Sequence, residues 1–143
     1  MSAAASACTH GVVFIHSAPT VLCPHITWAL ESVLHQPVHL DWTPQPAGLR
    51  LVRTELSWTG APGTGALLAS CLREMDNVRY EVTEQPSPGA DGARWSVTPS
   101  LGIHHAMTGA AGDLVIPEDR LRAAVAAYGA DVAALHAAVD ALL

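Results

Sequence analysis

The spacing of hydrophobic residues in the first half of the chain predicts strands and helices in alternation. The apolar run at residues 11–16 (GVVFIH) predicts a short buried strand that ends at a turn-prone Ser-Ala-Pro sequence. Pro24 suits the first turn of a helix, whose apolar face is formed by Ile26, Leu30, Val33 and Leu34. Alternating apolar residues at 38–42 (VHLDW) and 49–58 (LRLVRTELSW) predict two more strands with a loop between them.

The same pattern returns further along the chain. A helix is predicted after the turn at residues 62–65, with an inner face formed by Leu68, Cys71, Leu72 and Met75. Alternating residues at 78–83 (VRYEVT) then predict a fourth strand. These elements run β-α-β-β-α-β, the order of the ferredoxin-like fold, in which both helices lie on one face of an antiparallel sheet. Because that fold carries enzymes, regulators and binding modules alike, it assigns no function.

The C-terminal part is predicted to extend this core. Five further elements are expected there: strands at residues 94–98, 103–107 and 113–116, a helix from Pro117 to Gly129, and a last helix. The predicted fold class is therefore α+β, a ferredoxin-like core with an extended antiparallel sheet and two C-terminal helices. Residues 1–10 are expected to form a flexible leader and residues 11–143 a single domain. Since no residue ends the last helix before Leu143, either the natural chain continues or this helix docks with a frayed end, and we expect a C-terminal extension.

Composition and charge narrow the class of protein. Half of the 143 residues are hydrophobic and 14% are charged, which disfavours a disordered chain or a coiled coil. The net charge is -6 and every basic residue is Arg, so binding to nucleic acid or to an anionic membrane surface is not expected. Three cysteines do not make a disulfide-rich secreted domain, and the sequence shows neither a signal peptide nor a membrane span of ~20 apolar residues. We therefore expect a cytoplasmic protein.

The most suggestive chemical feature is Cys23 with His25 at the start of the first predicted helix. The positive end of a helix lowers the pKa of a thiol, and a neighbouring histidine can act as a base or share a metal. Residues two apart on a helix do not face each other, however, so a half-buried cysteine beside a surface histidine is the simpler interpretation. No CxxC spacing occurs, and neither a metal nor another cofactor is predicted, although the histidines invite a test at His16, His25, His104 and His105.

Two other features bear on binding. Gly63, Thr64 and Gly65 precede the second helix and resemble an anion cradle, because N–H groups at a helix start attract phosphate or carboxylate. A tight turn with Thr64 as the N-cap is the alternative. Trp is enriched at the centres of protein interfaces but also fills small cores, so partner binding is favoured only slightly by the Trp residues at 28, 42, 58 and 95.

Several stretches, taken in order along the chain, resemble one protein family. They are residues 11–19 (GVVFIHSAP), 22–25 (LCPH), 40–46 (LDWTPQP), 55–58 (ELSW), 63–66 (GTGA), 81–84 (EVTE), 101–103 (LGI), 105–109 (HAMTG) and 116–123 (IPEDRLRA). The family is actinobacterial and is catalogued only as a domain of unknown function. The resemblance implies a longer chain with an aromatic and acidic C-terminal extension, and it implies no catalytic residue. His104 stands where the family's motif has an aromatic residue, which counts against His104 as a ligand.

The genes of that family tend to lie beside genes for type II fatty-acid synthesis, which gives the expected function its context. We predict a non-catalytic accessory or regulatory subunit that binds a large enzyme of fatty-acid or acyl-CoA metabolism, with an acyl-CoA carboxylase as one candidate. The candidate functional or interface residues are His16, Ser17, Cys23, His25, Asp41, Trp42, Trp58 and His105. The alternative is a small cytoplasmic enzyme or ligand sensor that uses Cys23, His25 and His16, with an acyl or phosphorylated ligand near residues 63–65.

Overall fold

The computed structural model describes residues 7–143, which contain one seven-stranded sheet and four α-helices. The strands are β1 (Thr9–Pro19), β2 (Thr43–Pro44), β3 (Leu51–Gly60), β4 (Arg79–Glu84), β5 (Gly92–Thr98), β6 (Gly102–Thr108) and β7 (Leu114–Val115). The helices are α1 (Cys23–Leu34), α2 (Thr64–Leu72), α3 (Glu118–Tyr128) and α4 (Val132–Asp140), and a 3-10 turn at Thr20–Leu22 joins β1 to α1.

The sheet is antiparallel throughout, with the strand order β2-β3-β1-β4-β5-β6-β7. Strand β1 pairs with β3 over almost its whole length, from Thr9 opposite Gly60 to Pro19 opposite Leu51. The register of this pair shifts between Ile15 and Ala18, which marks a bulge at the Ser-Ala-Pro sequence. The predicted turn is therefore a bulge within a longer strand.

Helices α1 and α2 cover one face of the sheet. Side chains alternate along β1, so Val13 and Ile15 are buried in the core, while Phe14 and His16 lie on the opposite face. The helices contribute four fully buried side chains to the same core, namely Ile26, Leu30, Leu68 and Leu72. On the opposite face the centre of the sheet is not covered, because His16 and Glu55 are exposed there. We call this side the open face.

Tyr80 of β4 ties the sheet to α2. Its side chain is 2% exposed, and its hydroxyl donates a hydrogen bond of 2.6 Å to the carbonyl oxygen of Ala69. The pKa of Tyr80 is raised to about 12, mainly by burial and also by the Cys71 thiolate, while Arg73 acts in the opposite direction. The hydroxyl therefore stays protonated and keeps its bond across the neutral pH range.

The C-terminal helices lie beside the far end of the sheet. They follow the edge strand β7 and pack on each other, and His104 Nε2 of β6 donates to the carbonyl oxygen of Leu143 at 3.0 Å. Ala124 is the one buried residue of α3, and α4 has none. The hydrophobic core thus belongs to α1, α2 and the strands that they cover.

The α+β class, the antiparallel sheet and its extension beyond four strands are confirmed. The predicted second strand is wrong, because residues 38–42 form no ladder and β2 comprises Thr43–Pro44 alone. The alternation there has another cause: Leu40 is buried, and Trp42 packs partly against the core. Strand β1 begins at Thr9, so the end of the expected leader 1–10 is strand, and residues 1–6 lie outside the described part of the chain.

Candidate functional site

A concavity of about 590 Å³ opens on the open face, over β1, β3 and the segment that leads into β2. Its charged and aromatic lining consists of Phe14, His16, Asp41, Arg53 and Glu55. Two of these residues, His16 and Asp41, were candidates on sequence grounds although they are 25 positions apart. The volume lies within the ~300–1,000 Å³ typical of small-molecule pockets.

Alternation along β1 places an aromatic pair in the concavity. The rings of Phe14 and His16 are nearly parallel, with an angle of 2° and centroids 5.9 Å apart. Phe14 lies opposite Glu55 in β3 and opposite Glu81 in β4. Since directly opposed residues on one face of a sheet have Cβ atoms ~5 Å apart, each carboxylate side chain starts beside the Phe14 ring.

His16 is held from two sides. Its Nε2 lies 3.0 Å from Glu81 Oε2, and its backbone oxygen accepts a bond of 2.6 Å from Gln45 Nε2. The other oxygen of Glu81 accepts from Ser96 Oγ at 3.3 Å and lies 3.6 Å from Arg94 Nε. The imidazole is therefore oriented by a carboxylate that is itself anchored on β5.

Asp41 is positioned at the concavity by hydrogen bonds between its segment and β3. The hydroxyl of Thr54 donates to the backbone oxygen of Asp41 at 2.9 Å, next to the two-residue ladder in which Thr43 pairs with Arg53. The carboxylate of Asp41 lies 2.9 Å from His39 Nε2, and both side chains are exposed. A longer second strand was expected at this side of the concavity. The segment is instead held against β3 by the side-chain hydrogen bond of Thr54 and the two-residue ladder.

Cys23 and His25 lie on α1, away from the concavity. Cys23 is the first residue of the helix, but burial raises the pKa of its thiol, which outweighs the lowering effect of a backbone hydrogen bond. This direction favours the simpler interpretation of a half-buried cysteine, and an activated thiol at Cys23 stays a prediction. His25 is exposed and packs edge-on against Trp28, with ring centroids 5.4 Å apart. No hydrogen bond joins Cys23 to a histidine within residues 7–143.

We expect alkylation to be slow at Cys23 and Cys71. With iodoacetamide at pH 7.5, exposed Cys8 should react first and Cys71 about 10–100-fold more slowly, because its pKa of about 11 lowers the thiolate fraction and the fold shields it. Peptide mass spectrometry over a time course measures the three rates. Unfolding the protein in urea should equalise them. A Cys23 that reacts faster than Cys8 would restore the hypothesis of an activated thiol.

The predicted anion cradle is occupied by the protein's own carboxylate. The N–H groups of Gly63 and Gly65 donate to Glu84 Oε2 and Oε1, at 3.1 and 2.8 Å, and Glu84 is 7% exposed. Thr64 is not the N-cap, because Gly63 holds that position at φ +96° and the Thr64 hydroxyl donates to Ala61. The two amides are therefore already bonded, and no local pattern indicates a partner from the end of β4.

Tryptophan burial differs from the expectation. Trp58 is 3% exposed and lies in the core, so its side chain is not part of the surface, and its interface role stays a prediction. Trp28, by contrast, is 62% exposed, and its place two residues after Ile26 puts it outside the apolar face of α1. Trp95 stacks on His105 with centroids 5.1 Å apart, outside the concavity. Ser17 is buried at the bulge of β1.

Residues 7–143 contain no group of three or more His, Cys, Asp or Glu side chains arranged to hold a metal ion. None of the helices in this part of the chain has the length and apolar character needed to cross a membrane.

Comparison with known proteins identifies a family. The model of a family described as protein of unknown function (DUF3145) matches residues 12–143. No curated protein and no solved structure matches the chain. Since the matched region covers nearly the whole sequence, the chain belongs to the DUF3145 family.

Proposed function

We propose that this chain is a non-catalytic accessory subunit of the cytoplasm that binds a protein partner through the open face of its sheet. The observation that carries the proposal is the concavity over β1 and β3, where Phe14, His16 and Glu55 are accessible although the other face of the same strands is buried. The partner we propose is a large enzyme of fatty-acid or acyl-CoA metabolism, with an acyl-CoA carboxylase as a candidate. This class of partner is proposed because the chain resembles a family whose genes tend to lie beside genes for type II fatty-acid synthesis.

We also infer that β1, α1, β2, β3, α2 and β4 form a ferredoxin-like unit. The order β4-β1-β3-β2 within the sheet supports this, as do the antiparallel pairing and the position of both helices against one core. Such a unit leaves the outer face of its central strands free. In this chain those strands are β1 and β3, which line the concavity.

The lining is preorganised, which favours binding. His16 is fixed through Glu81, and Glu81 is fixed through Ser96 and Arg94. Side chains already held in one conformation lose little entropy when a partner covers them. A ligand sensor that uses His16 is the second candidate function, favoured by the size of the concavity. Cys23 and His25 do not line the concavity and take no part in that candidate.

Charge reversal on the open face tests the docking proposal. We expect a lightly tagged chain, isolated from its native host, to enter a large assembly in native mass spectrometry. Glu55→Arg should reduce the recovered partner at least about tenfold, because one central charge contact is replaced by a repulsive one. Glu74→Arg, an exposed acid after α2, is the matched control and should retain the partner. Trp28→Ala tests the helix side of the molecule and should also retain it.

A chain that runs only as a monomer or homodimer would contradict the docking proposal. Loss of the partner with Trp28→Ala but not with Glu55→Arg would move the contact surface to α1. Circular dichroism of each variant separates loss of binding from loss of fold.

A further inference from the structure

We infer that the concavity on the open face binds a cationic side chain, a guanidinium or ammonium group that the partner protein presents over the ring of Phe14. This inference rests on the proposed docking function and specifies the chemistry of the contact. Its three supports are the position of the Phe14 ring, the charges of the lining and the net charge of the chain.

The Phe14 ring supplies an aromatic surface in the lining of the concavity. A cation within ~6 Å of an aromatic centroid is attracted by the negative face of the ring. The His16 ring lies nearly parallel to it, and the contact of His16 with Glu81 holds this ring pair in place. The carboxylate of Glu55 extends from the position directly opposite Phe14. A cation over the ring can therefore also approach a carboxylate.

The charges of the lining favour a cation over an anion. Asp41 and Glu55 contribute two carboxylates, whereas Arg53 contributes one guanidinium. Within residues 7–143 no ion pair involves Glu55 or Arg53, and the partner of Asp41 is the exposed His39. Glu55 is thus a carboxylate beside an aromatic ring that forms no ion pair in the described part of the chain. Asp41 and Glu55 both line the concavity, and the hydroxyl of Thr54 bonds the backbone oxygen of Asp41.

The long-range field acts in the same direction. The chain has a net charge of -6 and no Lys, so a basic surface of a partner is attracted from a distance and an acidic one is repelled. A phosphorylated ligand would meet Asp41 and Glu55 as like charges. Such a ligand is therefore an outcome of the test that would overturn the inference.

Titration with N-acetyl-arginine amide, followed by nitrogen-15 NMR of the full chain at low salt, tests the inference. We expect saturable shifts of the amide signals of Phe14, His16 and Glu55. N-acetyl-citrulline amide has the same shape without the charge, and it should bind about tenfold more weakly. The variant Asp41→Asn/Glu55→Gln should lose a similar factor for the arginine probe, because both carboxylates are neutralised. Glu74→Gln, outside the concavity, should bind like the unmodified chain.

Equal shifts with the arginine and citrulline probes would overturn the inference, as would unchanged arginine binding in Asp41→Asn/Glu55→Gln. Shifts centred on Arg53 with inorganic phosphate, and none with the arginine probe, would also overturn it in favour of an anion. The outcome is separable from the docking proposal. If Glu55→Arg still releases the partner while the arginine probe fails to bind, docking stands and the cationic contact falls.

Discussion

Replacement of Gly11 by alanine is expected to destabilise the protein by more than about 3 kcal/mol, because the added methyl group has no space in the centre of the sheet. A Cβ atom at this position would lie 1.8 Å from the backbone oxygen of Thr83 and 2.8 Å from Trp58 Cζ2. Gly11 belongs to β1, which is paired on both sides, so neither β3 nor β4 can move away without breaking a ladder. Urea unfolding monitored by tryptophan fluorescence measures the loss.

Gly109→Ala is the matched control for this substitution. The nearest atom to a Cβ there is Val115 Cγ2 at 3.6 Å, an ordinary van der Waals distance. Its expected change is within about 0.5 kcal/mol. If Gly11→Ala unfolds at the same urea concentration as Gly109→Ala, Gly11 does not lie as close to Thr83 and Trp58 as the structure indicates.

Removal of the Glu84 carboxylate should have the next largest effect, a loss of about 2–3 kcal/mol in Glu84→Ala. The carboxylate accepts from Gly63 and Gly65 in a site that is almost fully buried, and its charge faces the positive end of α2. Without it, two N–H groups at the helix start lose their acceptor. Glu84→Gln keeps one acceptor oxygen and should lose less. Chemical denaturation of the three proteins gives the comparison.

Added phosphate provides a second measurement on the Glu84 variants. The alanine variant leaves an anion-binding helix start without its internal carboxylate, so phosphate should stabilise Glu84→Ala more than the unmodified chain. Glu74→Ala serves as the control for a general salt effect and should follow the unmodified chain. Equal stabilisation of all proteins by phosphate, together with a loss below about 0.5 kcal/mol in Glu84→Ala, would refute the role of Glu84.

Local periodicity was a sound guide where each element has one buried face. Helix α1 lies at Cys23–Leu34, around the apolar face predicted after Pro24, and β4 covers residues 79–84 against a prediction of 78–83. The same kind of pattern misled at residues 38–42. Alternation reports which side chains are buried, and it does not report whether a neighbouring strand supplies backbone hydrogen bonds. Leu40 is buried although no strand pairs with its backbone. The alternation therefore predicted the burial correctly, but the predicted strand does not form.

Tryptophan illustrates the same limit for single residues. Trp58 and Trp28 are equally plausible interface residues by type, yet one is 3% and the other 62% exposed. The helical spacing of α1 already placed Trp28 outside the apolar face formed around Ile26, so this signal was present in the sequence. For Trp58 the buried side of β3 depends on which face the helices cover, which is a property of the assembled layers.

The amino-acid sequence by itself determined the α+β class, the extended antiparallel sheet and most element positions, because these follow from the spacing of apolar residues along short stretches. Only the tertiary structure decided where the candidate side chains meet. It brings His16 and Asp41 into one concavity, leaves Cys23 and His25 on α1, and joins Glu84 to the amides of the α2 start. Such contacts form between residues distant along the chain, and their geometry is set by strand order and register, which local periodicity does not encode.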